Sequence, residues 1–261
     1  MAFDVVSSYV RVASSGKNMS CSIARNVAPI LIAAAVATSG CYSTIGGTVT
    51  TPTNELSAAD QKAGWRLLFD GKTTDGWRNY KKETVGAGWQ VIDGILTRSG
   101  DNAGDIITKA KYRNFDLALD WRVAEGGNSG ILYRATEDND YIWQSAPEMQ
   151  ILDDARHADG KSTLTSAGSN FALYPAPRGV VHPAGQWNAA RVRIEGNRVT
   201  HWLNGVKLLE YELNSAEWNA RVAASKFKSM PNYGKASEGH IGLQDHGDKV
   251  EFRNIRIRAL P

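Results

Sequence analysis

The chain has 261 residues, with 30 basic and 27 acidic side chains, two cysteines and eight tryptophans. This length suits one large β domain or two small ones. No run of like charge and no basic patch is visible, which argues against a nucleic-acid partner and favours an uncharged or weakly charged molecule.

The first forty residues have the layout of a secretory signal. The run "VAPILIAAAVATSG" (27–40) is apolar and uncharged, follows Arg25, and is too short and alanine-rich for a membrane span. Met19 begins "MSCSIARN", a suitable basic n-region, and is the expected start of translation. We therefore expect residues 1–40 to be a signal segment and the protein to be exported.

Two cleavage sites fit this segment. "ATSGC", which ends at Cys41, resembles a bacterial lipobox, although Thr38 stands where that motif usually has leucine. "AVA" at 35–37 suits an ordinary signal peptidase, but that cut would leave Cys41 as a lone thiol in an exported protein. We favour lipidation at Cys41, which predicts a periplasmic or outer-membrane-attached bacterial lipoprotein whose only membrane contact is the lipid anchor.

After the signal, residues 41–63 are rich in Thr, Ser and Gly, and we expect a flexible tether in which "ELSAADQKAG" forms a short helix. Residues 64–261 are the expected folded domain, with strand patterns separated by Gly, Asn and Asp turns. The eleven candidate strands are "WRLLFDG", "WQVIDGILTR", "DIITKAKY", "FDLALDWRVA", "GILYRAT", "EMQILD", "WNAARVRIEG", "NRVTHWLNG", "VKLLEYEL", "GHIGLQDHG" and "VEFRNIRIRAL".

The strand patterns predict an all-β sandwich of two antiparallel sheets, one of them curved. In "FDLALDWRV" (115–123), apolar and charged residues alternate, which is typical of a half-buried antiparallel strand. Asn204-Gly205 is a strong hairpin signal, and the change of apolar phase in "VEFRNIRIR" predicts a bulge near Arg253-Asn254. One segment, 214–227, favours a short helix or loop excursion, with Ser215 as its N-cap.

The stretch "PEMQILDD" (147–154) is the first candidate site. On a strand, Glu148 and Gln150 share one face, which predicts an open sheet face with a bound molecule. Laminarinase-type glycosidases carry Glu-x-Asp-x-x-Glu on such a strand, and this chain has Glu148-x-Gln150-x-x-Asp153. Retaining hydrolysis needs two carboxyl groups about 5–5.5 Å apart. Asp153 is one methylene shorter than glutamate, so direct two-carboxylate cleavage is disfavoured, and Asp153 and Asp154 also suit a simple turn.

Two further stretches carry candidate residues. In "GHIGLQDHGDK", alternation places four residues on one face: His240, Gly242, Gln244 and His246. His246 is a candidate for proton transfer near neutral pH, although a lone histidine is more often structural. In "GGNSGILYRA" (126–135), Arg134 is expected on an open face, where it either polarises a carbonyl oxygen or forms a surface ion pair with Glu148.

The tryptophans divide into two expected groups. Trp65, Trp121 and Trp202 fall in strand patterns and are expected in the core. Trp77, Trp89 and Trp143 are expected in loops or on the rim of a groove, where aromatic faces stack well on sugar rings.

Five of these stretches together resemble one family, the 3-keto-disaccharide hydrolase domain, long classed as a domain of unknown function. They are "WRLLFDGKTTDGW", "GNSGILYRA", "PEMQILDD", "WNAARVRIEGNRVTHWLNG" and "GHIGLQDHG…VEFRNIRI", in this order from about Gly64 to Leu260. The resemblance implies a concanavalin-like jelly-roll sandwich. It also implies hydrolase or 1,2-lyase action on glycosides whose glucose unit already carries a 3-ketone, which a separate sugar 3-oxidoreductase would supply.

The implied reaction needs a base for the C2 proton, a cation or donor for the enolate oxygen, and hydrogen bonds that orient the ring. His246 and Glu148 are the candidates for the base, and Arg134 or a bound divalent metal for the enolate. The candidate substrate-binding residues are Gln150, Asp153, Asn128, Gln244, Lys226 and Trp143, with Lys226 closing the site from a loop. No cofactor motif is evident, and the spacing does not decide whether a metal is used. The alternatives are a non-catalytic carbohydrate-binding module and an ordinary retaining glycosidase.

Overall fold

The computed structural model describes residues 53–261. The expected signal segment, the lipidation site at Cys41 and most of the expected tether lie outside these residues. Within them, no helix is long and apolar enough to cross a membrane.

Thirteen strands and two α-helices lie within residues 53–261. The strands are β1 (Arg66–Leu67), β2 (Trp77–Asn79), β3 (Trp89–Ile92), β4 (Ile95–Arg98), β5 (Ile106–Thr108), β6 (Phe115–Val123), β7 (Asn128–Ala135), β8 (Glu148–Leu152), β9 (Asn188–Glu195), β10 (Arg198–Leu203), β11 (Val206–Glu212), β12 (His240–Leu243) and β13 (Val250–Ala259). The helices are α1 (Ala58–Lys62) and α2 (Ala216–Ala223), and three 3-10 helices cover Ile142–Gln144, Ala158–Lys161 and Lys226–Ser229. The predicted strands are confirmed, with "WQVIDGILTR" divided into a hairpin and β2 added.

The strands form two antiparallel sheets, as the sequence predicts. The large sheet has eight strands in the order β11-β10-β9-β6-β13-β4-β3, with β1 beside β13, and the small sheet has the order β2-β5-β12-β7-β8. The inward faces of both sheets meet in one apolar core. In β6 the alternation holds, since Phe115 and Trp121 are buried while Asp120 and Arg122 lie on the other face.

The predicted irregularities are also present. β13 shifts register between Arg253 and Arg256 where it pairs with β6, and Asn254 has a φ of 54°. Asn204 and Gly205 both have positive φ and join β10 to β11, as a two-residue hairpin requires. Ser215 caps α2 by accepting a hydrogen bond from the Trp218 backbone N–H at 3.1 Å.

The expected tether is attached to the sandwich from residue 54 onward. Asn54 and Asn254 exchange hydrogen bonds, each backbone N–H donating to the other's side-chain oxygen at 2.7 and 2.8 Å. Asn54 also donates to the Gly94 carbonyl at 2.7 Å. The domain therefore begins before residue 64. Composition did not indicate this, because the partner of Asn54 is a bulge residue 200 positions away.

Several tryptophan predictions are wrong. Trp77 and Trp89 are core residues, 1% and 3% exposed, each with its indole N–H bonded to a backbone carbonyl. Trp65 and Trp202 are only partly buried and lie against guanidinium groups of the large sheet. Trp77 and Trp89 are the first residues of β2 and β3, whereas the prediction placed them in loops or on a groove rim. In β10 the neighbours of Trp202, His201 and Leu203, are the buried residues.

Candidate active site

A cavity of about 410 Å³ opens over the face of the small sheet that is turned away from the core. Its volume is in the range of sites for small molecules. The residues that line it are Asn128, Trp143, Ala146, Glu148, Gln150, Asp159, Phe171, Lys226, Phe227, Met230, Gln244 and His246.

Seven of the nine residues predicted for the site lie in this cavity. They are Asn128, Trp143, Glu148, Gln150, Lys226, Gln244 and His246. Strands β7 and β8 provide the floor, while the segments after β12 and α2 and the 3-10 helix before β8 provide the rim. The site therefore brings together residues that are 118 positions apart in the chain.

The floor consists of buried polar side chains. Glu148, Gln150 and Asn128 are 6%, 1% and 3% exposed, whereas Met149 and Ile151 of the same strand point into the core. The period of two along β8 places the polar pair on the cavity side, as predicted. The face is a cavity and not a fully exposed surface, however, because the segment that follows β8 folds back along it and contributes Asp159 and Phe171 to the lining.

That returning segment also satisfies the outer edge of β8. Gly168 N–H donates to the Gln150 carbonyl at 2.8 Å, Gln150 N–H to the Ser169 carbonyl at 3.1 Å, and Phe171 N–H to the Glu148 carbonyl at 3.1 Å. β8 is the last strand of its sheet, so these bonds occupy backbone groups that would otherwise be unpaired. Together with the pairing to β7 on the opposite edge, they hold both edges of the strand that carries Glu148 and Gln150.

Gly130 makes room for the Glu148 carboxyl group. Gly130 pairs with Gln150 across β7 and β8. A methyl group added at Gly130 would lie 2.0 Å from Glu148 Oε1 and 2.7 Å from its carboxyl carbon, both impossible contacts. The carboxyl group therefore rests directly on the backbone of β7.

Burial raises the pKa of Glu148 to about 8. Loss of hydration is the largest cause, the negative charges of Asp105 and Asp159 add to it, and the positive charge of Lys226 opposes it. At neutral pH the carboxyl group is therefore mainly protonated. A neutral acid in a cavity is equipped to donate a proton.

Lys226 places a cation on the rim of the cavity. Its ammonium group lies 4.2 Å from the centre of the Phe171 ring and 6.0 Å from that of Trp143. Desolvation lowers the pKa of Lys226, while Glu148 and Asp159 act in the opposite direction. The residue was predicted to close the site from a loop, and it lies at the start of the 3-10 helix Lys226–Ser229.

A stack of aromatic rings holds this loop in place. Tyr211 of β11 stacks on Trp218 of α2, Trp218 on Tyr233, and Tyr233 on Phe227, with ring centres 5.3, 5.9 and 3.9 Å apart. Parallel rings of this kind add to the free energy gained from burial. Since Phe227 is adjacent to Lys226, the stack fixes the rim cation relative to the large sheet.

The prediction for Arg134 is wrong. Its guanidinium donates to the carbonyls of Arg113 at 2.9 Å and Gly196 at 2.5 Å, and it does not line the cavity. Two residues of β7, Tyr133 and Arg134, lie opposite one residue of β12, and Arg134 has a φ of 52°. This bulge redirects the side chain away from the face that simple alternation assigned to it. No ion pair with Glu148 forms.

Asp153 also lies outside the cavity. Its carboxylate accepts hydrogen bonds from the backbone N–H groups of Gly126 at 2.8 Å and Ala155 at 3.2 Å. It closes the turn after β8, as Asp154 does by accepting from the Ala167 N–H at 2.8 Å. The structure therefore supports the turn interpretation of both residues, and Asp153 does not form a catalytic pair with Glu148.

The predicted polar face of β12 divides into two parts. His240 is buried, with its Nδ1 2.7 Å from the Thr108 carbonyl oxygen, and it does not line the cavity. Gln244 and His246 follow the end of β12 and do line it, with His246 exposed at the rim. The separation arises because β12 ends at Leu243.

Sequence reasoning missed Asp159 and Phe171, which line the cavity from the segment between β8 and β9. This segment has neither strand nor helix periodicity, so no pattern pointed to it. Within residues 53–261, no group of three His, Cys, Asp or Glu side chains is arranged to hold a metal ion.

The family and a named relative identify this β-sandwich as a carbohydrate-active enzyme. The model of the 3-keto-alpha-glucoside-1,2-lyase-like domain matches residues 64–258, and the chain belongs to this family. A relative from Bacteroides thetaiotaomicron, named 3-keto-disaccharide hydrolase, is 38% identical over 228 residues, which cover 76% of this chain and 79% of the relative.

Two solved structures from Parabacteroides distasonis share the fold. Both proteins are classed provisionally as glycosyl hydrolases. The first has a TM-score of 0.75 and 35% identity and covers 80% of this chain and all of its own. The second has a TM-score of 0.62 and 28% identity and covers 75% of this chain and 99% of its own. The family assignment and the sandwich architecture predicted from the sequence are confirmed.

Gly130→Ala is expected to abolish activity while the fold persists, because the added methyl group must displace the Glu148 carboxyl group. Loss of at least 100-fold in kcat/KM is expected, the order of effect of a misplaced acid or base. Gly76→Ala is the matched control, since its methyl group would meet only the Leu68 carbonyl at 3.5 Å. Circular dichroism checks the fold. An active Gly130→Ala protein would contradict the conclusion that activity requires the Glu148 carboxyl group in its place against Gly130.

Glu148 also makes stability depend on pH. Its pKa is about 8 in the folded protein against 4.5 for the ordinary group, so between these values the folded protein holds one proton more than the unfolded chain. The free energy of unfolding therefore falls as pH rises from about 4.5 to about 8. Glu148→Gln removes this term and is expected to be more stable than wild type at pH 8 by about 1 to 4 kcal/mol, but not at pH 4.5. Urea unfolding at both pH values measures the difference, and an equal difference at both would refute the shift.

Proposed function

We propose that the protein cleaves glycosides whose glucose unit carries a ketone at C3. The C3 carbonyl acidifies the C2 proton, and the leaving group on C1 lies β to that carbonyl. Removal of the C2 proton forms an enolate, which expels the aglycone oxygen and leaves a double bond between C1 and C2. Water then adds its oxygen to C1 and a proton to C2, so the net reaction is hydrolysis.

The observation that carries this proposal is the buried Glu148 carboxyl group, whose pKa desolvation raises to about 8, in one cavity with His246 and Lys226. A protonated acid is suited to give its proton to the departing aglycone oxygen. His246, exposed on the rim, is then the base that takes the C2 proton. The sequence left the choice of base between Glu148 and His246 open, and the proposal assigns the acid to Glu148 and the base to His246.

Lys226 takes the role first considered for Arg134. Its ammonium group lies at the mouth of the cavity, where it can offset the negative charge that develops on the C3 oxygen. Trp143 and Phe171 provide apolar surface beside it for the face of a sugar ring. Asn128, Gln150 and Gln244 are the groups proposed to bind its hydroxyls.

The family and the named relative support the substrate class. The geometry argues against a catalytic pair of Glu148 and Asp153, since Asp153 is turned away from the cavity. Asp159 is the second carboxyl group that does line it. An ordinary glycosidase that used Glu148 and Asp159 would also cleave the unoxidised glycoside.

We expect the purified protein to cleave a 3-keto-glucoside and to leave its unoxidised parent intact. In D₂O the 3-keto-glucose product should gain deuterium at C2, because the proton there is removed and then replaced. Glu148→Gln and His246→Gln should each lower kcat/KM by about 100-fold or more. Glu212→Gln, at an exposed position on β11, is the control. Turnover of the parent glycoside alone would overturn the proposal.

We also propose that the protein is exported, carries lipid on Cys41, and receives its substrate from a separate sugar 3-oxidoreductase. The support for lipidation is the "ATSGC" sequence. Cys41→Ser is expected to move the expressed protein from the membrane fraction to the soluble periplasmic fraction. Cleavage after "AVA" instead would leave the distribution of the variant equal to that of wild type.

A further inference from the structure

Four polar side chains form a continuous row, from His157 beside the cavity through Asn128 and Gln150 to Glu148, and the last three line the cavity floor. The terminal atoms of His157 and Asn128 are 3.5 Å apart, those of Asn128 and Gln150 are 3.3 Å apart, and Gln150 reaches Glu148 Oε1 at 3.0 Å. Asn128 and Gln150 are almost fully buried. Each amide can turn either its oxygen or its nitrogen toward a given neighbour. The backbone groups at the two ends of the row therefore decide which side chain donates each hydrogen bond and which accepts it.

The backbone at the Glu148 end fixes the Gln150 amide. One terminal atom of this amide lies 3.2 Å from the Ser129 carbonyl oxygen as well as 3.0 Å from Glu148 Oε1. A backbone carbonyl only accepts hydrogen bonds, so this atom is the nitrogen. The Gln150 oxygen then faces Asn128, which must present its own nitrogen.

The backbone at the other end fixes the His157 ring. The Asp159 backbone N–H donates to His157 Nδ1 at 3.1 Å, so Nδ1 is the acceptor and the ring proton of neutral His157 is on Nε2. Nε2–H faces Asn128, which must therefore present its oxygen there. This is the same orientation of Asn128 that Ser129 requires from the opposite end.

Both ends thus impose one direction: His157 donates to Asn128, Asn128 to Gln150, and Gln150 to Glu148 Oε1. We propose that His157, Asn128 and Gln150 are positioning residues, an inference that rests on the proposed function. They keep a hydrogen-bond donor on Glu148 Oε1, so that Oε2 is the oxygen that gives its proton to the glycoside. Oε1 also lies against Gly130. Among residues 53–261, no hydrogen-bond donor engages Oε2.

The row excludes the competing arrangement of the acid. If Glu148 carried its proton on Oε1, that O–H would donate to the Gln150 oxygen, and Gln150 and Asn128 would both have to turn over. Asn128 would then point its nitrogen at the Nε2–H of His157, which places two donors face to face. His157 thus acts through Asn128 and Gln150 to keep the proton on the oxygen that serves the substrate.

Other charged groups also face Glu148 or its cavity. Lys226 lies after α2, Asp159 in the 3-10 helix after β8, and Asp105 before β5, and His246 faces the cavity from the segment after β12. Substitution of Asn128 or Gln150 by a neutral residue leaves these charges in place. His157, in contrast, touches two of them: its Nδ1 lies 3.8 Å from Asp159 Oδ2, and its ring packs edge-on against that of His246. A change in the titration of Glu148 in a Gln150 variant therefore reports on the row. At His157, two neutral variants that both lack the ring must be compared with each other, because both lose its contacts with Asp159 and His246.

The experiment is an infrared pH titration of the Glu148 carboxylic C=O band in ligand-free protein, with the band assigned by its loss in Glu148→Gln. Gln150→Met removes the direct donor and is expected to raise the midpoint by about one pH unit, from the usual worth of one hydrogen bond. His157→Asn keeps an acceptor for the Asp159 N–H but is too short to reach Asn128, and should raise the midpoint by about half a unit. His157→Gln keeps a donor at the reach of Nε2 and should titrate like wild type.

A merely structural role of His157 predicts the reverse order. His157→Asn, which keeps the turn, would then resemble wild type, and His157→Gln would differ, and that result would overturn the proposal. An unchanged midpoint in Gln150→Met would also overturn it. The titration uses no substrate, so a failure of the protein to cleave 3-keto-glucosides would refute the proposed function without changing this outcome.

Discussion

The contact between the Glu148 carboxyl group and the backbone at Gly130 is the constraint around which the cavity is built. A carboxyl group in this position loses its water, and the loss of hydration keeps it protonated at neutral pH. The contact exists only because one residue of β7 has no side chain. The polar residues beside it follow from the same requirement, because a buried acid that is left without hydrogen-bonding partners would cost several kcal/mol.

The fold provides this arrangement through two different kinds of support. β8 is held on one side by β7 and on the other by the returning segment 168–171, so the backbone that carries the acid is fixed in place. The rim cation, by contrast, depends on the aromatic stack that links Lys226 and Phe227 to the large sheet. The acid is therefore part of the rigid sheet, whereas Lys226 lies on a loop that is held mainly by side-chain packing.

The two solved sandwiches that share the architecture are classed provisionally as glycosyl hydrolases, but the architecture does not determine the chemistry. Laminarinase-type enzymes place two carboxyl groups close together on one strand, and here the second of them, Asp153, closes a turn. The cavity holds the buried acid Glu148, the half-buried Asp159, one histidine and one lysine. This set fits a substrate whose own ketone activates the neighbouring proton better than it fits an unactivated acetal.

The sequence by itself determined the sheet content, the hairpin at Asn204-Gly205, the bulge in β13 and most of the cavity residues. These features depend on local rules: the period of two along a strand, the positive φ that a tight turn needs, and the change of phase that marks a bulge. Only the tertiary structure decided the position of Arg134, because the bulge that redirects it involves its pairing with β12. The parts played by Gly130, Asp159 and Asn54 likewise depend on partners that are distant in the chain or lie in segments without periodicity, and such partners leave no pattern in the sequence.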